Sequence, residues 1–189
     1  FFETQSREVQ QVIAHAKIRP GMKVLEPQAG RAALALAAAA IVGKSNVTCH
    51  ELMPENVAEL QRLGFVIEGP QDFLCVPPNA QFDAVILNPP FSGGRDILHI
   101  EHALKFVKPG GTLTAIASTS WQQKETERCR AFRAMLGKYG ALIEEIPAGA
   151  FKAVGTDVPT VLIAITVPME ARPKTAVQPQ FDLFSMEMA

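Results

Sequence analysis

Short apolar runs alternate along the chain with segments in which apolar residues recur every three or four positions. The short runs predict strands, and the longer period predicts helices. Strands are predicted at 22–25, 47–50, 65–68, 82–87, 113–117, 142–146 and 161–167. Helices are predicted at 9–16, 32–42, 54–63 and 97–107, with a further helix around 132–136.

The alternation of strands with helices predicts an α/β fold with parallel strands. The run at 82–87 is apolar enough to be buried on both faces, as strands of a parallel sheet are. From Pro168 onward prolines and polar residues dominate. We therefore predict one domain over 1–167 and a flexible tail over 168–189.

The composition is that of a globular protein, with 48% hydrophobic and 20% charged residues among 189. No apolar run is long enough to span a bilayer and no cleavable leader is evident, so we expect a cytoplasmic location without membrane contact. Cys49, Cys75 and Cys129 lack the spacing of a disulfide framework or a zinc site. His99 and His102 are three apart without a third ligand nearby, and no metal site is predicted.

A turn after the first predicted strand has features of a ligand site. It runs from Glu26 to Gly30 and leads into an alanine-rich helix, whose first amide groups are free to donate. Glu51 follows the second strand, where a carboxylate can accept both hydroxyls of a ribose. A tight turn with one solvated glutamate explains this pattern equally well, and the full dinucleotide fingerprint is absent.

Asn88-Pro89-Pro90-Phe91 follows the apolar strand at 82–87, at the sheet edge where α/β proteins bind ligands. The lone pair of an adenine or guanine amino group is delocalised into the ring, so this nitrogen is a poor nucleophile. The Asn88 side-chain oxygen and the Pro89 carbonyl can accept its hydrogens and aim its lone pair at a methyl donor. The locked φ angles of the prolines hold that geometry, and Phe91 offers a face for a stacked base.

The same tetrapeptide also suits a rigid exit from a strand, with Phe91 in the core. Asparagine, two prolines and an aromatic residue at a strand end are a much rarer combination than diproline turns in general. The sequence therefore favours the catalytic interpretation. Such a site acts by positioning and preorganised acceptors, without a metal or an acidic base.

These motifs resemble those of class I S-adenosylmethionine-dependent methyltransferases that act on amino nitrogens, and in particular N6-adenine DNA methyltransferases of phages and mobile elements. The resemblance runs from residue 2 to about residue 167. The matching positions are Val24 to Pro27, Ala29-Gly30, Glu51, Asp72-Phe73, Asn88 to Phe91, Asp96, His99, Pro109 to Gly111, Pro147 to Lys152 and Gly155-Thr156.

The resemblance implies a Rossmann-like fold with a mostly parallel seven-stranded sheet and a C-terminal antiparallel hairpin strand. It implies S-adenosylmethionine as cofactor and methylation of N6 of adenine in DNA as the reaction. The implied catalytic residues are Asn88, Pro89, Pro90 and Phe91. The implied cofactor-binding residues are Thr4, Glu26, Pro27, Ala29, Gly30, Glu51, Leu52, Met53, Asp72, Phe73 and Asn88.

The resemblance also implies a role for each part of the site. The turn from Glu26 to Gly30 would hold the methionine end of the cofactor, and Glu51 its ribose. Leu52 or Met53 would pack on its adenine ring, which Phe73 would flank and whose amino group Asp72 would bind. Phe91 and Phe151 would contact the target base, although an ordinary core phenylalanine is an equal interpretation of Phe151.

Two departures from the family pattern concern cofactor affinity. The family usually has a second glycine two positions after Gly30, where this chain has Ala32. The extra methyl group either crowds the methionine end or shifts the start of the helix. The family often shows Thr-Pro near the N-terminus, where this chain has Thr4-Gln5.

Two features bear on macromolecular partners. The formal net charge of −1 is low for a protein that binds DNA phosphates, so either a basic face is offset elsewhere or DNA binding is weak. The tail segment 180–184 resembles the bacterial sliding-clamp-binding peptide, with Gln180 first and Leu183-Phe184 last. Clamp binding would tether the protein to DNA, while the alternative is a tail that folds onto the domain.

Three functions stay open at this point. The favoured one is an adenine-N6 DNA methyltransferase. The second is an enzyme of the same fold that acts on RNA amino groups or a protein glutamine. The third is a degenerate member, suggested by Ala32, that binds nucleic acid or a partner and does not methylate.

Overall fold

A single sheet forms the centre of the computed structural model, which describes residues 6–146 and 158–169. Within these residues the sheet has seven strands in the order β3-β2-β1-β4-β5-β7-β6. Strands β1 to β5 pair in parallel, and β7 is antiparallel to both β5 and β6. The strands are β1 (Val24–Glu26), β2 (Val47–His50), β3 (Val66–Glu68), β4 (Phe82–Leu87), β5 (Val107–Ser118), β6 (Leu142–Ile146) and β7 (Thr160–Thr166). The predicted fold class is confirmed.

Helices cover both faces of the sheet. One core cluster joins α1, α2 and α3 to one face, and the other joins α4 and α6 to the opposite face. The central strand β4 is buried along almost its whole length because it lies between these layers. The helices of the described residues are α1 (Ser6–Ala16), α2 (Ala33–Val42), α3 (Pro54–Arg62), α4 (Arg95–Ala103), α5 (Ser120–Gln123) and α6 (Glu127–Tyr139).

The predicted helix at 97–107 is wrong at its C-terminal end. Helix α4 stops at Ala103, a 3₁₀ turn covers Leu104–Phe106, and Val107 already pairs with Phe82 as the first residue of β5. Leu104 and Val107 are both buried against the same core, so their spacing continues the helical period although the backbone does not. Pro109 to Gly111 therefore lies inside β5, at a register shift, rather than between a helix and a strand.

Trp121 lies in the loop that follows β5, within the short helix α5. The indole is 3% exposed and packs edge-on against Phe132, with ring centroids 5.1 Å apart. Arg133 donates to the Trp121 and Lys124 carbonyl oxygens at 2.7 and 2.8 Å. Trp121 is therefore a packing residue that anchors this loop, and Lys124 remains exposed.

The described residues include all three cysteines, and they can be searched for a membrane-spanning helix and for a group of metal ligands. Cys49 and Cys129 are buried free thiols, and Cys75 is an exposed one. Among the described residues no helix is both long and apolar enough to cross a membrane. No group of three metal-ligating side chains occurs within 6–146 and 158–169.

Candidate functional site

A cleft of about 700 Å³ opens at the carboxyl edge of the parallel strands. It lies where the strand order reverses between β1 and β4, the position at which open α/β sheets bind ligands. Its volume is within the range of small-molecule sites. Nine of the predicted cofactor residues line it, namely Glu26, Pro27, Ala29, Glu51, Leu52, Met53, Asp72, Phe73 and Asn88.

Glu26 ends β1 as a buried acid at the floor of the cleft, and its side chain is 2% exposed. Burial raises the pKa of its carboxyl well above the ordinary value, and the nearby Glu51 charge raises it further, while an Ala35 backbone amide lowers it. The Oε2 atom has no hydrogen-bond partner among the described residues. The site thus holds a buried acceptor suited to a cationic or hydrogen-bond-donating ligand group.

The Glu51 carboxylate accepts hydrogen bonds from the turn after β1 and from the segment after β2. Its Oε2 accepts the Gly30 amide at 2.7 Å, and its Oε1 accepts the Leu52 and Met53 amides at 2.8 Å each. Each carboxylate oxygen has two lone pairs, so Oε2 keeps one for a ligand hydroxyl. Gly30 therefore contributes to the site through its backbone, in a left-handed conformation with φ of 51°.

An apolar surface follows Glu51 along the rim. Leu52 and Met53 are 53% and 43% exposed, although both line the cleft. Across from them Phe73 is buried and stacks near His99, with ring planes 13° apart. Asp72 accepts the Leu74 amide through Oδ1, and its Oδ2 lies 3.6 Å from an Arg95 guanidinium nitrogen. This rim suits a flat ring with a polar edge.

The tetrapeptide from Asn88 to Phe91 leaves β4 and lines the same cleft. Asn88 is half-buried, Pro89 is buried, and Pro90 is exposed. Phe91 is half-buried, lines the cleft and also packs against the core cluster of α1 and α2. The structure therefore brings all four residues next to the turn from Glu26 to Gly30.

Ala32 does not line the cleft. Its methyl group is fully buried in the core, and its backbone is left-handed with φ of 69°, immediately before α2. Of the two interpretations of this departure from the family pattern, the structure supports an effect on the helix start. A glycine suits this position because a left-handed backbone costs other residues free energy.

Sequence reasoning missed a polar pair at the cleft floor. Gln28 Nε2 donates to His99 Nδ1 at 2.9 Å, and both side chains line the cleft. Burial, and after it the Arg95 charge, lower the pKa of His99 to about 4, so the ring is neutral at pH 7. Gln28 and His99 are 71 residues apart in the sequence. The one feature of the sequence that pointed to this pair was the match of His99 to the family pattern.

Three predicted positions lie outside the described residues. Thr4 precedes them, Phe151 falls in the gap at 147–157, and the clamp-like segment at 180–184 follows them. The roles assigned to these residues remain predictions. The same holds for the boundary between a domain at 1–167 and a tail at 168–189.

No family model matches the chain, and no curated protein matches it. Solved structures do resemble it. A modification subunit assigned to a type I restriction enzyme from Vibrio vulnificus has a TM-score of 0.73 at 16% identity, over 89% of this chain and 45% of that one. A chain of another type I restriction-modification system gives 0.73 at 19% identity, over 89% and 42%. A 23S rRNA methyltransferase gives 0.62 at 20% identity, over 90% and 72%.

These comparisons establish the fold. The chain has the Rossmann-like fold of class I S-adenosylmethionine-dependent methyltransferases, with a mostly parallel sheet and an antiparallel pair at one edge. It spans less than half the length of the two type I restriction-modification chains that it resembles. The fold itself hosts different methyl acceptors, so the acceptor has to be argued from the site.

Proposed function

We propose that this chain transfers a methyl group from S-adenosylmethionine to the N6 amino group of adenine in DNA. The observation that supports this most directly is the position of Asn88-Pro89-Pro90-Phe91. The tetrapeptide lines the same cleft as the turn from Glu26 to Gly30. One wall thus offers acceptors for an amino group, and the adjoining wall offers a site for the methyl donor.

The cofactor fits the groups that the cleft presents. S-adenosylmethionine supplies an electrophilic methyl group on a sulfonium. The buried Glu26 oxygen, which has no hydrogen-bond partner within the described part of the chain, suits the positive charge of its amino-acid end. The remaining Glu51 lone pair suits a ribose hydroxyl. Exposed Leu52 and Met53 give an apolar surface for its adenine ring, with the Asp72 carboxylate at the polar edge.

The acceptor wall suits an amino group conjugated to a ring. In our proposal the Asn88 side-chain oxygen and the Pro89 carbonyl accept the two amino hydrogens, which directs the nitrogen lone pair toward the donor. Phe91 presents its ring to the base. Because these acceptors are fixed before the substrate binds, positioning and preorganisation lower the barrier to methyl transfer.

Nucleic acid as the substrate is supported by the charges at the cleft. Arg31, Arg95 and Lys124 all line it, although the formal net charge of the chain is −1. These cations can contact phosphate groups at the opening, beside the carboxylates of Glu26, Glu51 and Asp72 that line the same cleft. The structural likeness to restriction-modification chains favours DNA, and the likeness to an rRNA methyltransferase makes RNA the second candidate.

Transfer of an isotopically labelled methyl group tests this proposal. We expect label from S-adenosylmethionine in unmethylated DNA with the intact chain, and at least a hundredfold less with Asn88→Ala, since acceptor groups of this kind contribute about that much. Asn79→Ala is the matched control, because Asn79 lies exposed before β4 and outside the cleft. Label in RNA or protein alone would overturn the assignment of DNA. Cofactor binding in calorimetry without label in any polymer would favour a degenerate member.

A further inference from the structure

A chain of hydroxyl groups connects the cleft with a buried carboxylate. Ser118 ends β5 and Ser120 begins α5, and both line the cleft. Ser120 Oγ lies 3.0 Å from Ser118 Oγ, which lies 2.7 Å from Asp96 Oδ2. Asp96 is on α4 and is fully buried. Three side chains from three elements therefore form one continuous hydrogen-bonded path.

The path has a defined direction. Asp96 Oδ2 accepts both the Ser118 amide at 2.9 Å and the Ser118 hydroxyl at 2.7 Å. The one hydroxyl hydrogen of Ser118 is directed at Asp96, and Ser118 must therefore accept from Ser120. Ser120 Oγ is left with lone pairs for a donor in the cleft. Protons can pass along this path from the cleft toward Asp96.

The charge of Asp96 is not explained by the contacts it makes. A neutral asparagine could accept the same two hydrogen bonds from Ser118 without burying a charge. The other oxygen, Oδ1, is buried and has no partner among the described residues. Burying a carboxylate costs free energy when only one of its two oxygens accepts hydrogen bonds. A role as proton acceptor explains why this position holds an aspartate rather than an asparagine.

We propose that Ser120, Ser118 and Asp96 remove the proton that the target amino group loses on methylation. This inference rests on the proposed function. The parallel register pairs Leu87 with Ala115, so the end of β5 at Ser118 lies beside the segment that follows β4. That segment is Asn88-Pro89-Pro90, the acceptor wall for the amino group. The opening of the path is therefore on the substrate side of the cleft.

The step balances in atoms and charge. The amino nitrogen forms a bond to the methyl carbon as the bond between that carbon and sulfur breaks, which leaves a positive charge on nitrogen. The charged nitrogen carries two hydrogens, and one of them leaves its acceptor on Asn88 or Pro89 and passes to Ser120 Oγ. Ser120 gives its own proton to Ser118, and Ser118 gives its own to Asp96 Oδ2. The positive charge of the sulfonium and the negative charge of Asp96 are both neutralised. Asp96 returns the proton along the same path to water after the product leaves.

Ser120 is the catalytic residue of this path, and Ser118 and Asp96 act through it. Ser120→Ala is the main test because Ser120 is half-buried at the first position of a short helix, whose N-cap residue is Thr119. We expect single-turnover methyl transfer to slow at least about tenfold, the lower range for a lost proton acceptor. Ser120→Thr restores the hydroxyl and should recover most of the rate. Asp96→Asn should slow the reaction similarly.

A matched control lies on the same strand. Thr114 of β5 is fully buried outside the cleft, and its hydroxyl has no hydrogen-bond partner among the described residues. Thr114→Val removes that hydroxyl with little change in shape and should leave the rate of methyl transfer unchanged. Equal affinities of wild type and Ser120→Ala for S-adenosylmethionine and for DNA would exclude a binding defect.

Infrared difference spectra of a single turnover give a readout besides activity. We expect a protonated carboxyl band to rise with product formation in wild type, and to be missing in Asp96→Asn and in Ser120→Ala. A wild-type protein that methylates DNA without this band, or a Ser120→Ala protein with the wild-type rate, would overturn the path and leave the proposed function standing. A wild-type protein that binds the cofactor and methylates no amino group would overturn both.

Discussion

Glu26 shows how one buried acid links stability to ligand binding. Burial raises the pKa of its carboxyl, so the folded chain without ligand holds a proton that the unfolded chain has lost at the same pH. The stability from this group is complete below the ordinary value of 4.5 and is lost as the pH rises through the raised pKa of the folded state. At pH 8 a neutral glutamine at this position should therefore stabilise the ligand-free protein.

We predict that Glu26→Gln raises the stability of the ligand-free protein at pH 8 by roughly 1 kcal/mol, about 2–4 °C in Tm for a chain of this length. The difference should disappear at pH 4. The same change removes the charge proposed to face the cationic end of the cofactor, so affinity should fall at least about tenfold, or 1.4 kcal/mol. Thermal scans at both pH values and calorimetry at pH 8 measure these effects. A less stable variant at pH 8, or one with wild-type affinity, would contradict this account of Glu26.

At the residue scale the sequence predicted the groups that belong to short motifs. Glu26, Glu51 and Asn88 each follow a strand of a parallel sheet, and the carboxyl ends of such strands meet at one edge. Gln28 and His99 were missed because their contact joins distant segments. Ser118 ends β5 and Ser120 follows it at that edge, and the same rule would have identified them as candidates.

The start of α2 shows how an element tolerates an unfavourable residue. Ala32 is left-handed and fully buried directly before the helix. A left-handed backbone costs a residue other than glycine about 1–2 kcal/mol. A glycine would relieve that cost, but it would lose the burial of one methyl group, about 0.8 kcal/mol, and it would add entropy to the unfolded chain. These terms nearly cancel.

We predict that Ala32→Gly leaves the free energy of unfolding within about 0.5 kcal/mol of wild type. Ala40→Gly, at an exposed position inside α2, should lower it by about 1 kcal/mol. Urea denaturation of the two variants measures the contrast. An equal loss of stability in both would show that the backbone at Ala32 is not under strain.

At the element scale the apolar runs predicted the strands well because the inner strands of this sheet are buried on both faces. The helical spacing of apolar residues predicted the end of α4 wrongly. Leu104 and Val107 face the same core, but Leu104 lies in a 3₁₀ turn and Val107 in β5. Hydrophobic spacing reports which residues face the core, and it does not report where a helix gives way to a strand when both pack against the same layer.

At the scale of the whole molecule, the alternation of strands and helices predicted the class of fold, and the resemblance supplied the antiparallel edge. The strand order depends on contacts between segments far apart in sequence, such as the pairing of β1 with β4. No local pattern encodes that pairing. The order matters for function because it places the turn after β1 beside the tetrapeptide after β4 and so forms the cleft.

The charge of the whole molecule did not predict where its cations lie. A formal net charge of −1 argued against DNA binding, yet Arg31, Arg95 and Lys124 line the cleft. Net charge sums over the entire surface, while attraction of phosphate groups depends on the charges within about 10 Å of the site. The cleft thus has cations that can contact phosphate groups, beside the carboxylates of Glu26, Glu51 and Asp72 in the same lining.

Identification of the modified nucleoside is the most direct test of the proposed reaction. Unmethylated DNA is incubated with the protein and S-adenosylmethionine, digested, and its nucleosides are analysed by mass spectrometry, with Asn88→Ala in parallel. We predict N6-methyldeoxyadenosine from the intact chain and none above background from the variant. A different methylated nucleoside, or equal amounts of N6-methyldeoxyadenosine from both proteins, would contradict the assignment of Asn88-Pro89-Pro90-Phe91 as the site that binds adenine.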